Sequence, residues 1–328
     1  MAKSKYTCIG GQALIEGILM KSPEKSALAV RKPDKEISIT YLNQKSVREK
    51  YKILRLPLIR GAVSFVESLI GGYKAMMLSA EISGYTDIED EDKKTEPKEE
   101  KKTSALINAL MILAGVLGFA IAIVLFLLIP RLVVAGIELI AGKSLSSVSH
   151  AAIEQGIKLV VLVLYVYLVS LMKDIKRVFM YHGAEHKTIF CYESGLPLNV
   201  ENVRKQRRFH PRCGTSFMIL MILVSFVVST VVQLLFKGVY ENAAVWVAVK
   251  ILMIPIICGI GFELLRFCGK YDNWLTKIIA APGLWLQRIT TKEPQDDMIE
   301  IAIAALKACE PAVPDVERPK EDSDAGEE

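Results

Sequence analysis

The residues able to do chemistry are concentrated between Tyr181 and Ser216, in the stretch YHGAEHKTIFCYESGLPLNVENVRKQRRFHPRCGTS. Of the four histidines in the chain, His182, His186 and His210 fall here, with Cys213 three residues past the last. His182 and His186 are four apart, so on a helix both imidazoles share one face and can hold one metal ion. Glu185 between them gives H-x-x-E-H, the order found in metalloproteases of the inverted zincin type. His210-Pro-Arg-Cys213-Gly reads as a zinc-ribbon knuckle with histidine in place of its first cysteine. The set is four nitrogen or sulfur donors plus one carboxylate, and zinc is the expected ion. The plain alternative is an incidental group of histidines in a basic loop. Two ligand pairs at short spacing, in a chain otherwise nearly without histidine, weigh against it.

Two chemistries follow from this set. In an open site, His182, His186 and His210 leave zinc one position for water, and Glu185 takes that water's proton; the protein is then a metal-dependent hydrolase, with a protease as one case. In a closed site, Cys213 fills the fourth position and the metal clips the loop. Glu185 then pairs with Lys187 or with Arg204, Arg207 or Arg208, and the protein is a membrane scaffold or regulator. Inverted zincins take their third ligand from a distant carboxylate, which makes Glu263 an additional candidate here. Arg212, inside the knuckle, is another.

The elements that must position these residues are mostly apolar. Hydrophobic residues make up 52% of the 328, and the mean hydropathy is +0.32, too high for an ordinary soluble domain. The pattern predicts a mainly α, polytopic membrane protein with about four transmembrane helices. Residues 1–50 form an N-terminal cytosolic element, with a β-hairpin around Lys32-Pro33-Asp34-Lys35, where Pro and Asp favour a turn and Ile37 and Ile39 alternate with polar neighbours. Residues 51–80 contain an amphipathic, interfacial helix, because Arg60, Glu67 and Lys74 make a free-standing span costly. Residues 81–103 are an acidic linker. The membrane domain, 104–265, has spans at 104–129 (ending at Pro130), about 157–172, about 216–236 and about 243–262. Its metal-site loop is 173–213, into which the second span's helix continues. Pro255, Gly259 and Gly261 loosen the last span. Residues 266–309 give an interfacial Trp-bearing segment and a C-terminal helix, and 310–328 a disordered acidic tail.

Basic residues crowd 173–212, whereas 130–150 holds only Arg131 and Lys143, and the tight turn 237–242 only Lys237. The positive-inside rule therefore places both termini and the histidine stretch in the cytosol. The six cysteines form no C-x-x-C pair, which fits a reducing compartment, and no cleavable signal is expected. Membrane lipid is an expected partner, with anionic lipid or a cytosolic protein at the basic run 204–212; nucleic acid is not. A transporter is a third reading, disfavoured because the intramembrane charge is chiefly Lys250.

Four separated motifs, GGQALIEGILMKSP, YHGAEHKTI, NVRKQRRFHPRCGTSF and GLWLQRITTKEP, together resemble the YqhQ-like family of bacterial membrane proteins. The resemblance covers nearly the whole chain except the acidic linker and tail. It implies a multi-pass protein of the bacterial inner membrane. The family's description as a predicted metal-dependent enzyme implies ligands at His182, His186 and His210, with Glu185 catalytic.

Overall fold

The computed structural model describes residues 9–42, 46–85, 113, 115–236, 243–271 and 273–310. Most of the expected acidic linker, the acidic tail, the 237–242 turn and the beginning of the first span lie outside these residues.

The N-terminal element is larger than one hairpin. Strands β1 (Gly10–Leu14), β2 (Gly17–Lys21), β3 (Ser26–Arg31) and β4 (Ile37–Tyr41) form an antiparallel meander in that order. The second hairpin is the expected one. The first lies in GGQALIEGILMKSP, where Glu16 takes φ 50° in the turn. Its strands escape a search for alternation because β2 and β3 are covered on both faces. Ile18, Met20, Ala27 and Ala29 pack into a core with Tyr181, Ala184 and Met298, while Leu19, Leu28 and Val30 pack with Ala75.

After the short α1 (Val47–Lys50), α2 (Ile59–Ile82) joins this sheet to the membrane helices. Its small residues allow close approach: a Cβ at Gly61 would lie 2.9 Å from the Gly259 Cα, and one at Gly72 2.7 Å from the Gln12 side chain. Val66, Leu69, Ile70 and Tyr73 stay exposed on it. Glu67 accepts from the Val47 amide at 2.7 Å and from the Ser46 hydroxyl, holding the start of α1.

Four helices among the described residues are long and apolar enough to cross a membrane: α3 (Gly115–Ala141), α4 (within Ser147–Val169), α7 (Gly214–Leu235) and α8 (within Ala243–Lys270). The first does not stop at Pro130. A π-helical turn at Val124–Leu128 precedes the proline, and the helix continues to Ala141, where Gly142 at φ 64° ends it. A proline is tolerated next to such a turn because the regular hydrogen-bond ladder is already interrupted there. The second span does not run on into the histidine stretch either. Ser170–Met172 break it, with Met172 extended at ψ 135°, and α5 (Lys173–Glu193) starts afresh. Then come α6 (Val200–Arg204), α9 (Trp274–Thr290) and α10 (Asp296–Cys309). Leu162 and Val166 of α4, Ile219 of α7 and Leu286 of α9 form one membrane-level core.

The spans carry more charge than Lys250. Glu154 and Lys158 of α4 are buried beside it, and both lysines reach the same carboxylate oxygen, at 2.7 Å from Lys158 and 3.0 Å from Lys250. Lys250 also donates to the Ser229 hydroxyl at 2.9 Å.

Candidate metal centre

Helix α5 presents His182 and His186 on one face, edge to face, with ring centroids 4.4 Å apart. Cys213 comes to them from the N-terminus of α7, which it caps: its sulfur accepts from the Thr215 amide at 3.4 Å. One ligand atom from each of His182, His186 and Cys213 lies within 4.8 Å of the others. The His182 Nε2 is 3.1 Å from the Cys213 sulfur.

The orientation of both rings is fixed from behind. The His182 Nδ1 is 2.8 Å from the Thr290 carbonyl oxygen, and the His186 Nδ1 is 2.5 Å from the Arg208 carbonyl oxygen. A carbonyl only accepts, so each Nδ1 carries a proton and each ring turns its Nε2 inwards, the nitrogen left to bind a metal ion. Metal-binding histidines are held in this way, the outer bond setting the tautomer and raising ligand basicity. Two imidazole nitrogens and a thiol sulfur suit zinc or another borderline transition metal.

His210 is close but differently employed. Its ring lies 5.5 Å from that of His186 and 4.8 Å from that of Phe190, while its Nδ1 accepts from the Arg212 amide at 3.2 Å. Burial, reinforced by His186 and Arg212, pushes its pKa down to about 2, so the ring is neutral. Its backbone is clamped by Gln287, whose amide accepts from the His210 N–H and donates to its carbonyl, each at 2.7 Å. The structure thus brings three of the four expected donors together and stations the fourth beside them. Arg212 is paired with Glu193.

Glu185 reaches the sheet while remaining near enough to His182 to feel its charge. The backbone amides of Gly11 and Ala13 donate to its carboxylate, and a Cβ at Gly11 would lie 2.8 Å from its Cδ. Burial raises its pKa to about 7 against the opposing pull of His182 and those amides. Its Oε2 has no hydrogen-bond partner among the described residues. Gly11 in GGQALIEGILMKSP is therefore what lets β1 close over this carboxylate.

Glu263 pairs neither with Arg266 nor with the histidines. It receives Arg60 of α2 in a two-pronged ion pair, at 2.6 and 2.5 Å. The basic run is largely paired, its Arg204 and Lys205 at the exposed surface. Arg204 pairs with Asp296, Lys205 with Glu201 at 2.6 Å, and Arg208 and Lys187 with Glu293 at 2.8 Å each. Burial notwithstanding, those two cations hold the Glu293 carboxyl below its usual range. Arg207 stacks over Phe190 at 4.6 Å.

Several supporting residues escape sequence reading. Thr290 and Arg208 act through carbonyls, which any residue type supplies. Glu16 is different: isolated in an apolar stretch, it receives Arg177 in a two-pronged pair and the Tyr181 hydroxyl at 3.0 Å, tying the β1–β2 turn to α5. A lone carboxylate in such a stretch was the available signal. Burial and Glu16 together push the Tyr181 phenol up.

Fold and site define a polytopic helical membrane protein with a small antiparallel sheet docked against a His/Cys cluster. Residues 56–312 match the family described as "Protein of unknown function (DUF1385)", and the chain belongs to that family. It is 37% identical over 311 residues to the "Uncharacterized protein YqhQ" of Bacillus subtilis (strain 168), covering 93% of each chain. No solved structure matches.

Proposed function

We propose that the chain is a membrane-bound metal-dependent hydrolase whose metal is held by His182, His186 and Cys213. The observation that carries this reading is the pair of Nδ1 bonds to the Thr290 and Arg208 carbonyls, which turns two Nε2 lone pairs towards the Cys213 sulfur. Zinc held there by three protein donors would supply Lewis acidity at the position left over. Glu185 is the proton carrier: it is enclosed by β1, and its Oε2 is free to take a proton and return it. Gln287 and Arg212 fix the His210 segment, which walls the site on one side. A substrate-independent test is a photoreactive hydroxamate, which needs an open metal position. Metal-loaded wild type and Glu185→Gln should both be labelled, and His182→Ala should not. A metal-loaded wild type that refuses the probe would end the hydrolase reading.

The second reading, a closed structural site in a scaffold or regulator, is favoured by burial. His186 is 2% exposed, Cys213 7% and His210 5%, and the His210 ring is near enough to supply a fourth donor if its bond to Arg212 were exchanged.

The loop charges support a cytosolic position for the cluster, in a bacterial cell membrane with both termini inside. With the buried cysteines left in place, Lys143→Cys should react with an impermeant thiol reagent in intact cells and Lys205→Cys should not. The reverse pattern would overturn the orientation.

A further inference from the structure

A cationic surface less committed than the 204–212 run, whose charges are paired with Asp296, Glu201 and Glu293 or laid over Phe190, is available to membrane lipid. It lies where α2 meets the last turns of α8, in an open groove of about 620 Å³. We propose that this groove is a binding site for one anionic phospholipid, its headgroup phosphate held by Arg266 and Lys270.

Depth, wall and charge each support this occupant. The groove is at the same membrane face as the His/Cys cluster, since a Cβ at Gly269 would lie 2.9 Å from the Arg212 Cδ. Exposed Trp274 and Trp285 on the adjoining α9, at 73% and 72%, mark the level of the headgroups, where tryptophan concentrates. Leu58, Ile260, Leu264 and Phe267 give the groove an apolar wall along which an acyl chain can lie. The polar side carries surplus positive charge. Arg60 and Glu263 neutralise each other. Arg266, which also acts on the Glu263 carboxylate, and Lys270, which lies over the Tyr271 ring at 5.3 Å, are exposed and make no hydrogen bond or ion pair with a described side chain, so the rim keeps two surplus positive charges. A zwitterionic headgroup would add no net charge to balance them, and an anionic one does. Arginine and lysine together suit a phosphate: the guanidinium offers paired donors and the ammonium a point charge. Basic pockets between membrane helices on the cytosolic side take acidic headgroups for this reason.

The test is native mass spectrometry of the full-length protein in mild detergent, titrated separately with phosphatidylglycerol and phosphatidylcholine. Each basic contact should favour the anionic lipid by about fivefold, so wild type should prefer it about 25-fold at the first site. Arg266→Gln/Lys270→Gln should lose most of that preference, and Lys143→Gln, which removes a charge elsewhere, should keep it. Leu264→Trp should block the first lipid with every charge intact, so the site stays testable if the double variant is unstable. A wild type without preference, a double variant that retains it, equal loss in Lys143→Gln, or a Leu264→Trp variant that still binds would each overturn the proposal. Metal content is a separate readout that none of these lipid outcomes moves, so the site stands or falls apart from the hydrolase reading.

Discussion

The cluster around His182 and the cluster around Glu154 are both enclosed, but they are made of opposite kinds of group. Around Glu154, one carboxylate is shared by two lysines, and Lys250 has the Ser229 hydroxyl as well. Cations meet an anion there, and the attraction is internal. Around His182, two imidazole nitrogens and a sulfur converge within 4.8 Å, each an electron-pair donor. Donors facing donors repel unless protons or a metal ion lie among them. The first arrangement holds membrane helices together by itself; the second has the donor composition of a metal site, with one hydrogen bond, His182 to Cys213, inside it. This contrast also weakens the transporter reading, because Glu154, Lys158 and Lys250 have each other as partners, while Arg131 lies over Trp246 and Glu138 accepts from the Leu145 amide.

The comparison breaks most sharply at Glu154. Glu154→Gln leaves Lys158 and Lys250 buried without their carboxylate and should cost about 3–5 kcal/mol. The protein should melt much earlier in detergent, while the fraction that stays folded keeps its full metal complement. A matching loss of metal from that folded fraction would mean the two regions are not independent.

A smaller effect is expected at Gly183, on the other side of the comparison. A Cβ there would lie 2.0 Å from the Lys292 carbonyl oxygen, so Gly183→Ala must push α5 away from the segment after α9. That movement carries the Thr290 carbonyl away from His182. Overpacking of this kind costs about 1–3 kcal/mol, and loss of a histidine's outer bond lowers metal affinity about 10–100-fold. Competition with a chromogenic chelator measures it; unchanged affinity would show that the Thr290 bond does not matter to binding.

The parts of this molecule that could be read from sequence are those whose cause is local. The i, i+4 pair His182 and His186 depends only on α5 being a helix, and the four apolar runs declare themselves by composition. The hairpin at Lys32–Lys35 announced itself through turn residues. What was missed depends on distant chain. β1 and β2 lack alternation because α2 covers one face of the sheet and α5 with α10 the other. Glu263 finds Arg60 at a separation of 203 residues. Pro130 reads as a terminator because a π-helical turn has no residue signature. That His210 would be stationed beside the cluster, with its Nδ1 occupied by the Arg212 amide, follows from a Gln287 clamp 77 residues away.

The proposed centre has three protein donors, one of them sulfur, and leaves His210 outside. X-ray absorption at the metal edge of purified full-length protein tests this directly. The predicted shell is one sulfur at about 2.3 Å, two imidazole nitrogens at about 2.0–2.1 Å and one further light atom that is not imidazole. The spectrum should be unchanged in His210→Ala. A third imidazole that disappears in His210→Ala, or a shell without sulfur, would contradict it.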